Sequence, residues 1–472
     1  MGDEIRERHF NAEHFSRFRR RLDAETDLVA ELFHDNRLSR RGDIVGFELE
    51  AWIVDADGQP HAQNQQLIEH VGNPLVVPEL AAFNVELNGS PTALSGNVFS
   101  RIDDELSATW AMCRQGAADL GCRLVTVGIL PTIRPDLLNS NYMSAMVRYQ
   151  ALNDRVLALR DGAPLHIRIT TGDGLDMMHD DVMLEAATTS FQIHLQCKPE
   201  RAVRDFNAAI VASAPMVALA ANSPFLFGRS LWEETRIPLF EQAVSAGPRA
   251  PARVTFGTGY AQSSLVEIFR ENQSEHVILL PFVQADEPPH KYAHVRFQNG
   301  TVWRWNRPLL GFDFDGQPHL RIEHRVVPAG PTIHDCVANA AAWLGMVRGL
   351  VDRDDPIETR IGFETARNNF YEAAKHGLAA SLNWVDGVEL SARELLADQL
   401  LPLAADALGK LDIPDAEIQR YVGTAQTRVE RNRTGARWQR AWVAKHGTDW
   451  AALTRAYADA QDSGEPVHEW PV

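Results

Sequence analysis

The sequence predicts an α+β fold, in which a curved, mainly antiparallel sheet carries helices on its apolar face and a helical C-terminal region follows. Two observations carry this reading. Four segments in the first three-quarters of the chain alternate apolar and polar residues, the pattern of a strand with one buried face. From about 355 to 462 almost everything instead reads at helical spacing. The chain has 472 residues, 45% of them apolar and 23% charged, so a sizeable core is available. The length fits about three domains or one large catalytic unit.

In chain order, residues 5–35 read as a helix. The first strand is 45–53, with Val45, Phe47, Leu49, Ala51 and Ile53 on one face and Gly46, Glu48, Glu50 and Trp52 on the other. Residues 83–88 repeat the design, with Glu86 between Asn84 and Asn88 on the polar face. Ile102, Leu106, Trp110 and Cys113 mark a helix over 101–121. In 190–196, Phe191, Ile193 and Leu195 point inward, opposite Gln192, His194 and Gln196. Residues 208–227 carry no charge, but Pro215, Pro224 and Asn222 interrupt them, which predicts a buried helix followed by a loop rather than a membrane span. Pro and Gly clusters at 245–252 and 284–290 read as surface loops. Asn299-Gly300, between HVRFQ and TVWRWN, predicts a hairpin turn. Residues 320–326 place Arg321, Glu323 and Arg325 on one strand face, and 334–351 form an Ala-rich buried helix. Ser391 and Glu394 make a capping box.

The tail concentrates arginine at 420, 428, 431, 433, 437 and 440, expected mostly on a solvated face, while Trp438 and Trp442 are expected to pack inward. His166, His179 and His334 are read as structural.

Composition excludes several classes. The net charge of −17 argues against nucleic acid and anionic membranes as partners. The four cysteines form no C-x-x-C pair, and Cys197 reads as an inert buried thiol. The charged N-terminus lacks the apolar stretch of a signal peptide, which leads to the expectation of a cytoplasmic protein. There is no G-x-x-x-x-G-K-[ST], no G-x-S-x-G and no H-E-x-x-H, and the G-x-G at 257–259 reads as a turn.

What remains is the polar face of the strands. Glu48 and Glu50 lie two apart, roughly 6–7 Å at the backbone, and repel unless a cation or proton sits between them. With Glu86, Glu323, and Gln192 or His194, they suit Mg²⁺ bridging to phosphates. Arg325 is set to contact a transferring phosphoryl group.

Gly46-Phe-Glu-Leu-Glu50, Glu86-Leu-Asn-Gly-Ser-Pro91, Ser190-Phe-Gln-Ile-His194, Ala221-Asn-Ser-Pro-Phe225 and Ile322-Glu-His-Arg325 occur in this order. Together with Arg367-Asn368 and Gly377-Leu378-Ala379-Ala380 they resemble the glutamate–cysteine ligase family of the plant and bacterial carboxylate–amine ligase type, over about residues 44 to 385. The resemblance implies a glutamine synthetase-like catalytic domain over 1–385, with 386–472 as a helical extension packed on it. It implies an ATP-dependent, ADP-forming carbon–nitrogen ligase that works through an acyl phosphate, joins a glutamate-like acid to a cysteine-like amine, and serves glutathione biosynthesis.

The implied metal ligands, for Mg²⁺ or Mn²⁺, are Glu48, Glu50, Glu86, Gln192 and Glu323. Glu50 and Arg325 carry catalysis, Arg321 and Arg325 hold the nucleotide, and Arg236, Asn222 and His194 meet the substrates. A homo-oligomer is possible. The departures are Gln192-x-His194 where many relatives have His-x-His, and a short loop after Phe225 that leaves both substrates open. The alternatives are ligation of a different acid and amine on the same sheet, or a nucleotide- or metabolite-binding regulator without turnover.

Overall fold

The computed structural model describes residues 4–282 and 287–472. Eight strands build the main sheet: β1 (Ile44–Val54), β2 (Val76–Pro78), β3 (Asn84–Asn88), β4 (Thr92–Ala93), β5 (Arg123–Val125), β6 (Phe191–Cys197), β7 (Asn306–Phe312) and β8 (Pro318–His324). Their order is β7-β8-β6-β1-β3-β2, with β4 and β5 pairing the two ends of β1. Each of these pairings is antiparallel.

The alternation of β1 explains its place at the centre. Val45, Phe47, Leu49, Ala51 and Ile53 are all at most 2% exposed on one side, and Phe47 stacks on Phe191 with ring centroids 5.5 Å apart. Burying five such side chains contributes on the order of 10 kcal/mol of transfer free energy.

Nine helices matter below: α1 (Ala12–His34), α2 (Val98–Asp119), α3 (Ala202–Ala220), α4 (Arg236–Ala243), α5 (Ala293–Gly300), α6 (Ile333–Val351), α7 (Asp415–Glu430), α8 (Gly435–His446) and α9 (Trp450–Asp462). Helices α2, α3 and α6 pack on the sheet, and α3 packs on α6. Among the described residues, α3 is the one helix long and apolar enough to cross a membrane, and 89% of that window is buried inside the fold. It is a core helix, as the uncharged stretch predicts.

The first helix begins at Ala12, capped by Asn11, rather than near residue 5. The expected hairpin at Asn299-Gly300 does not form. These residues end α5, where Val295, Gln298 and Asn299 turn inward and Glu25 of α1 accepts hydrogen bonds from the His294 and Val295 amides. Asn-Gly stops a helix as readily as it turns a hairpin, and Glu25 supplies the anion at the helix start. The real hairpin joins β7 to β8 at Asp313–Gln317, where Gly316 has φ +82. Residues 245–252 are a loop; 284–286 of the other expected loop lie outside the described residues.

In the tail, a short hairpin of Ser381–Asn383 with Glu389–Ser391 breaks the helical run, and the Ser391–Glu394 capping box forms. Trp438 and Trp442 are buried. The arginines do not share one solvated face. Arg428 is 1% exposed and donates to Asp335 and Asn339. Arg440 pairs with Glu233 at 3.0 Å, and Arg437 lies 3.6 Å from the same carboxylate. Their partners come from distant segments, so helical spacing alone could not reveal them.

Candidate functional site

The sheet register lays the polar side chains out in rows. Glu48 lies between Gln192 on β6 and Asn88 on β3, and Glu50 is opposite Glu86. One row further, Gly46, His194, Glu323 and Arg307 run across four strands. Because side chains alternate along a strand, all of these share one face. Glu48, Glu50, Glu86, Gln192, Glu323 and Arg307 line a cavity of about 570 Å³, while Gly46, Asn88 and His194 line a smaller pocket of about 160 Å³ that shares Glu48 with it.

Two triads of potential metal ligands stand on this face. Glu48, His194 and Glu323 offer donor atoms within 4.8 Å of one another, and so do Glu50, Glu79 and Glu86. In the first, His194 Nε2 lies 3.4 Å from Glu48 and 3.9 Å from Glu323. Burial pushes the imidazole down to about 4, although Glu48 opposes this, so it is neutral and able to ligate at neutral pH. Arg307 grips Glu323 with two hydrogen bonds, of 2.7 and 3.0 Å, and Arg325 adds a third of 3.2 Å. Although burial opposes it, this company holds the Glu323 carboxyl below the ordinary range.

The second triad lacks such company. Burial, then Glu79, pushes Glu50 up to about 7, although Ser190 donates to it from both its amide and its hydroxyl, at 2.6 and 2.8 Å. Burial, with Glu48 and Glu79, raises Glu86 well above its ordinary value. Gln192 links the two groups, since its Nε2 donates to Glu50 at 3.1 Å and its Oε1 accepts from Arg325.

Arg321 lines the same cavity, and its buried Nε has no hydrogen-bond partner among the described residues. The structure thus brings together Glu48, Glu50, Glu86, Gln192, His194, Glu323, Arg321 and Arg325. It does not bring Asn222 or Arg236 among the residues lining the cavity. Asn222 is fully buried and joins Ala329, Tyr457 and Gln439, tying α8 and α9 to the core. Arg236, 2% exposed, pairs with Glu234 and donates to the carbonyls of Arg325 and Val326. Its guanidinium ties Glu234 to the residues that follow β8.

Sequence reasoning missed Glu79, Glu185, Arg148, Arg296 and Arg307, which also line the cavity. Glu79 follows the three-residue β2 and Glu185 sits on a 3₁₀ helix, Val182–Ala187, so neither has a periodic signal. Arg307 could have been found by extending the alternating pattern to β7. The cysteines are all buried and free, and His166, His179 and His334 pair with Asp176, Asp181 and Asp103.

The donor set fits a hard divalent cation, being mostly carboxylate oxygen with one neutral imidazole. In the Glu50–Glu79–Glu86 group burial raises both Glu50 and Glu86, and His194 Nε2 is buried without a hydrogen-bond partner among the described residues.

Residues 44–459 match glutamate–cysteine ligase family 2. Among solved structures, the chain is similar to a glutamate–cysteine ligase from Francisella tularensis in complex with AMP, at 10% identity and TM-score 0.53, covering 89% of each chain. It is also similar to a bifunctional glutathione synthetase from Pasteurella multocida, at 11% identity and TM-score 0.53, covering 92% of this chain and 54% of that one. The chain therefore spans about half of that second protein. At these identities the likeness is one of fold. No curated protein matches by sequence.

Proposed function

The chain belongs to glutamate–cysteine ligase family 2, and from that premise we propose that it is an ATP-dependent carboxylate–amine ligase that forms an amide through an acyl phosphate, with glutamate and cysteine as the first acid and amine to test. The observation that carries this reading is the pairing of two ligand triads with Arg325 on one sheet face.

Glu48, His194 and Glu323 would hold one Mg²⁺, and Glu50, Glu79 and Glu86 a second. When bound, the cation neutralises triphosphate charge and the charge that develops on the transferring phosphoryl group. Arg325, fixed by Gln192 and Glu323, is held in a dry setting where it would meet that phosphoryl group with little reorganisation. Arg321, with its Nε unsatisfied and its guanidinium on the cavity wall, would take nucleotide phosphate oxygens. Gln192 holds Glu50 and Arg325 at a set spacing, so the acid's carboxylate and the γ-phosphate would be oriented between them.

The test is product analysis with Mg²⁺, ATP, glutamate and cysteine, then a panel of other acids and amines. The expected products are ADP and phosphate, formed only with acid and metal present. AMP with pyrophosphate would overturn the acyl-phosphate route. No nucleotide turnover with any pair would overturn the ligase reading in favour of a binding protein.

A further inference from the structure

We infer that Glu185 is the residue that receives the ammonium group of the acceptor amine and takes its proton, beside an apolar wall that selects a small uncharged substituent. The inference rests on the ligase reading above and deepens it.

Glu185 belongs to the 3₁₀ helix Val182–Ala187, which lines the cavity but is not part of the main sheet. In a 3₁₀ helix, residues three apart eclipse. Val182 and Glu185 therefore share a side, and both line the cavity. Val182 belongs to a small second core with Ala151, Val156 and Leu280, and Leu152 and Phe297 pack against it. One carboxylate thus stands at the edge of an apolar basin, with Arg148 and Tyr149 also on the cavity wall and Tyr149 near enough to feel its charge.

The other cavity carboxylates have protein partners. Ser190 donates to Glu50, Asn88 to Glu86, Arg307 to Glu323, and His194 lies against Glu48. Glu79 accepts from its own neighbour's amide, that of Leu80. Among the described residues, no hydrogen bond or ion pair engages the Glu185 carboxylate. Burial, with Glu79 and Glu50 nearby and Arg325 opposing, pushes it up to about 8, so at pH 7 it holds a proton until a cation enters beside it. An arriving ammonium favours the ionised carboxylate, whose own proton leaves to solvent before the amine is deprotonated.

The chemistry requires such a group. An amine enters protonated and has no lone pair to attack with. Its N–H proton passes to the Glu185 oxygen. The freed nitrogen pair then forms the C–N bond at the acyl carbon, and the C–O bond to phosphate breaks with its electron pair. The second N–H proton leaves with inorganic phosphate, and Glu185 returns its own proton to solvent. A proton acceptor placed in this way contributes on the order of 100-fold or more.

Hydroxylamine separates this role from a structural one, because it is uncharged at neutral pH and needs no such acceptor. The wild type would be screened with the twenty amino acids as acids and hydroxylamine as acceptor, then with the twenty amino acids as acceptors for the best acid. In Glu185→Gln, amide formation at pH 7 is expected to fall about 100-fold, recovering as pH rises, while hydroxamate formation stays close to the wild-type level. Equal activity with both acceptors would overturn the inference, and so would loss of both, which would place Glu185 with the metal ligands or the scaffold. A wild type that makes no hydroxamate from any acid, and releases no ADP, refutes the ligase reading itself and the role given to Glu185 with it.

Discussion

The two triads on the sheet differ in what neutralises them. Glu48, His194 and Glu323 stand among Arg307, Arg321 and Arg325, and Glu323 is tied to two of these arginines. Glu50, Glu79 and Glu86 stand among other carboxylates, and burial with that company raises Glu50 and Glu86 above their ordinary values. The first triad is partly compensated by the protein's own arginines. In the proposed reading the second would be stabilised by a bound cation. One strand, β1, supplies both, through two glutamates two residues apart.

The same chemical change should therefore have opposite effects on the two sides. In the apo protein, Glu323→Gln leaves Arg307 and Arg325 with an uncompensated buried charge. Breaking a buried pair in this way costs roughly 3–5 kcal/mol, so urea unfolding should shift to clearly lower concentration. A Glu323→Gln protein as stable as wild type would erase the contrast at its strongest point.

Activity gives the next largest effect. Glu50→Gln removes a ligand from the second triad while its neighbours Ser190 and Gln192 remain. Turnover should fall at least about 100-fold with the circular dichroism spectrum unchanged. Undiminished turnover would remove Glu50 from the site.

Much of this contrast was legible in the chain, and part of it was not. Alternation revealed Glu48, Glu50, Glu86, Gln192, His194 and Glu323, because a period of two needs only one strand to be read. It could not reveal register, so which carboxylates would share a cation was hidden until β6 and β8 were laid beside β1. Glu79 and Glu185 come from a loop and a 3₁₀ turn, where no period exists. Asn222 and Arg236 follow from the family resemblance; both lie in the interior, bonded to backbone and, for Asn222, to tail residues, with partners more than 80 positions away. The Asn299-Gly300 hairpin was misread because the choice between helix end and turn was made by Glu25, on a helix far upstream.

Glu86→Gln sharpens the comparison through stability. It removes one of three mutually repelling carboxylates, two of them buried, while keeping the hydrogen bond from Asn88. The apo variant should be more stable than wild type at pH 8, on the order of 1 kcal/mol. Magnesium at a hundredfold excess over its Kd should stabilise the wild type by about 2.7 kcal/mol, and this gain should shrink in the variant. A variant less stable than wild type at pH 8, with an undiminished magnesium effect, would show that the second triad is already compensated.

Glu241 provides the smallest effect and the control. It does not line the cavity. Burial pushes its carboxyl up to about 7, although Trp305 and Tyr371 each donate to its Oε1, both at 2.9 Å. A carboxyl raised from 4.5 in the unfolded chain binds its proton more tightly when folded. Its contribution is therefore full below pH 4.5 and is lost as pH rises toward 7. Glu241→Gln keeps an acceptor oxygen for both donors and cannot ionise. It should match wild type near pH 4.5 and exceed it at pH 8 by on the order of 1 kcal/mol, read as a difference in urea midpoint. Unlike Glu86→Gln, it should leave the magnesium effect intact. If both variants lost that effect equally, a buried unpaired carboxylate anywhere in the fold would suffice to explain it, and the second triad would have no special claim on the cation.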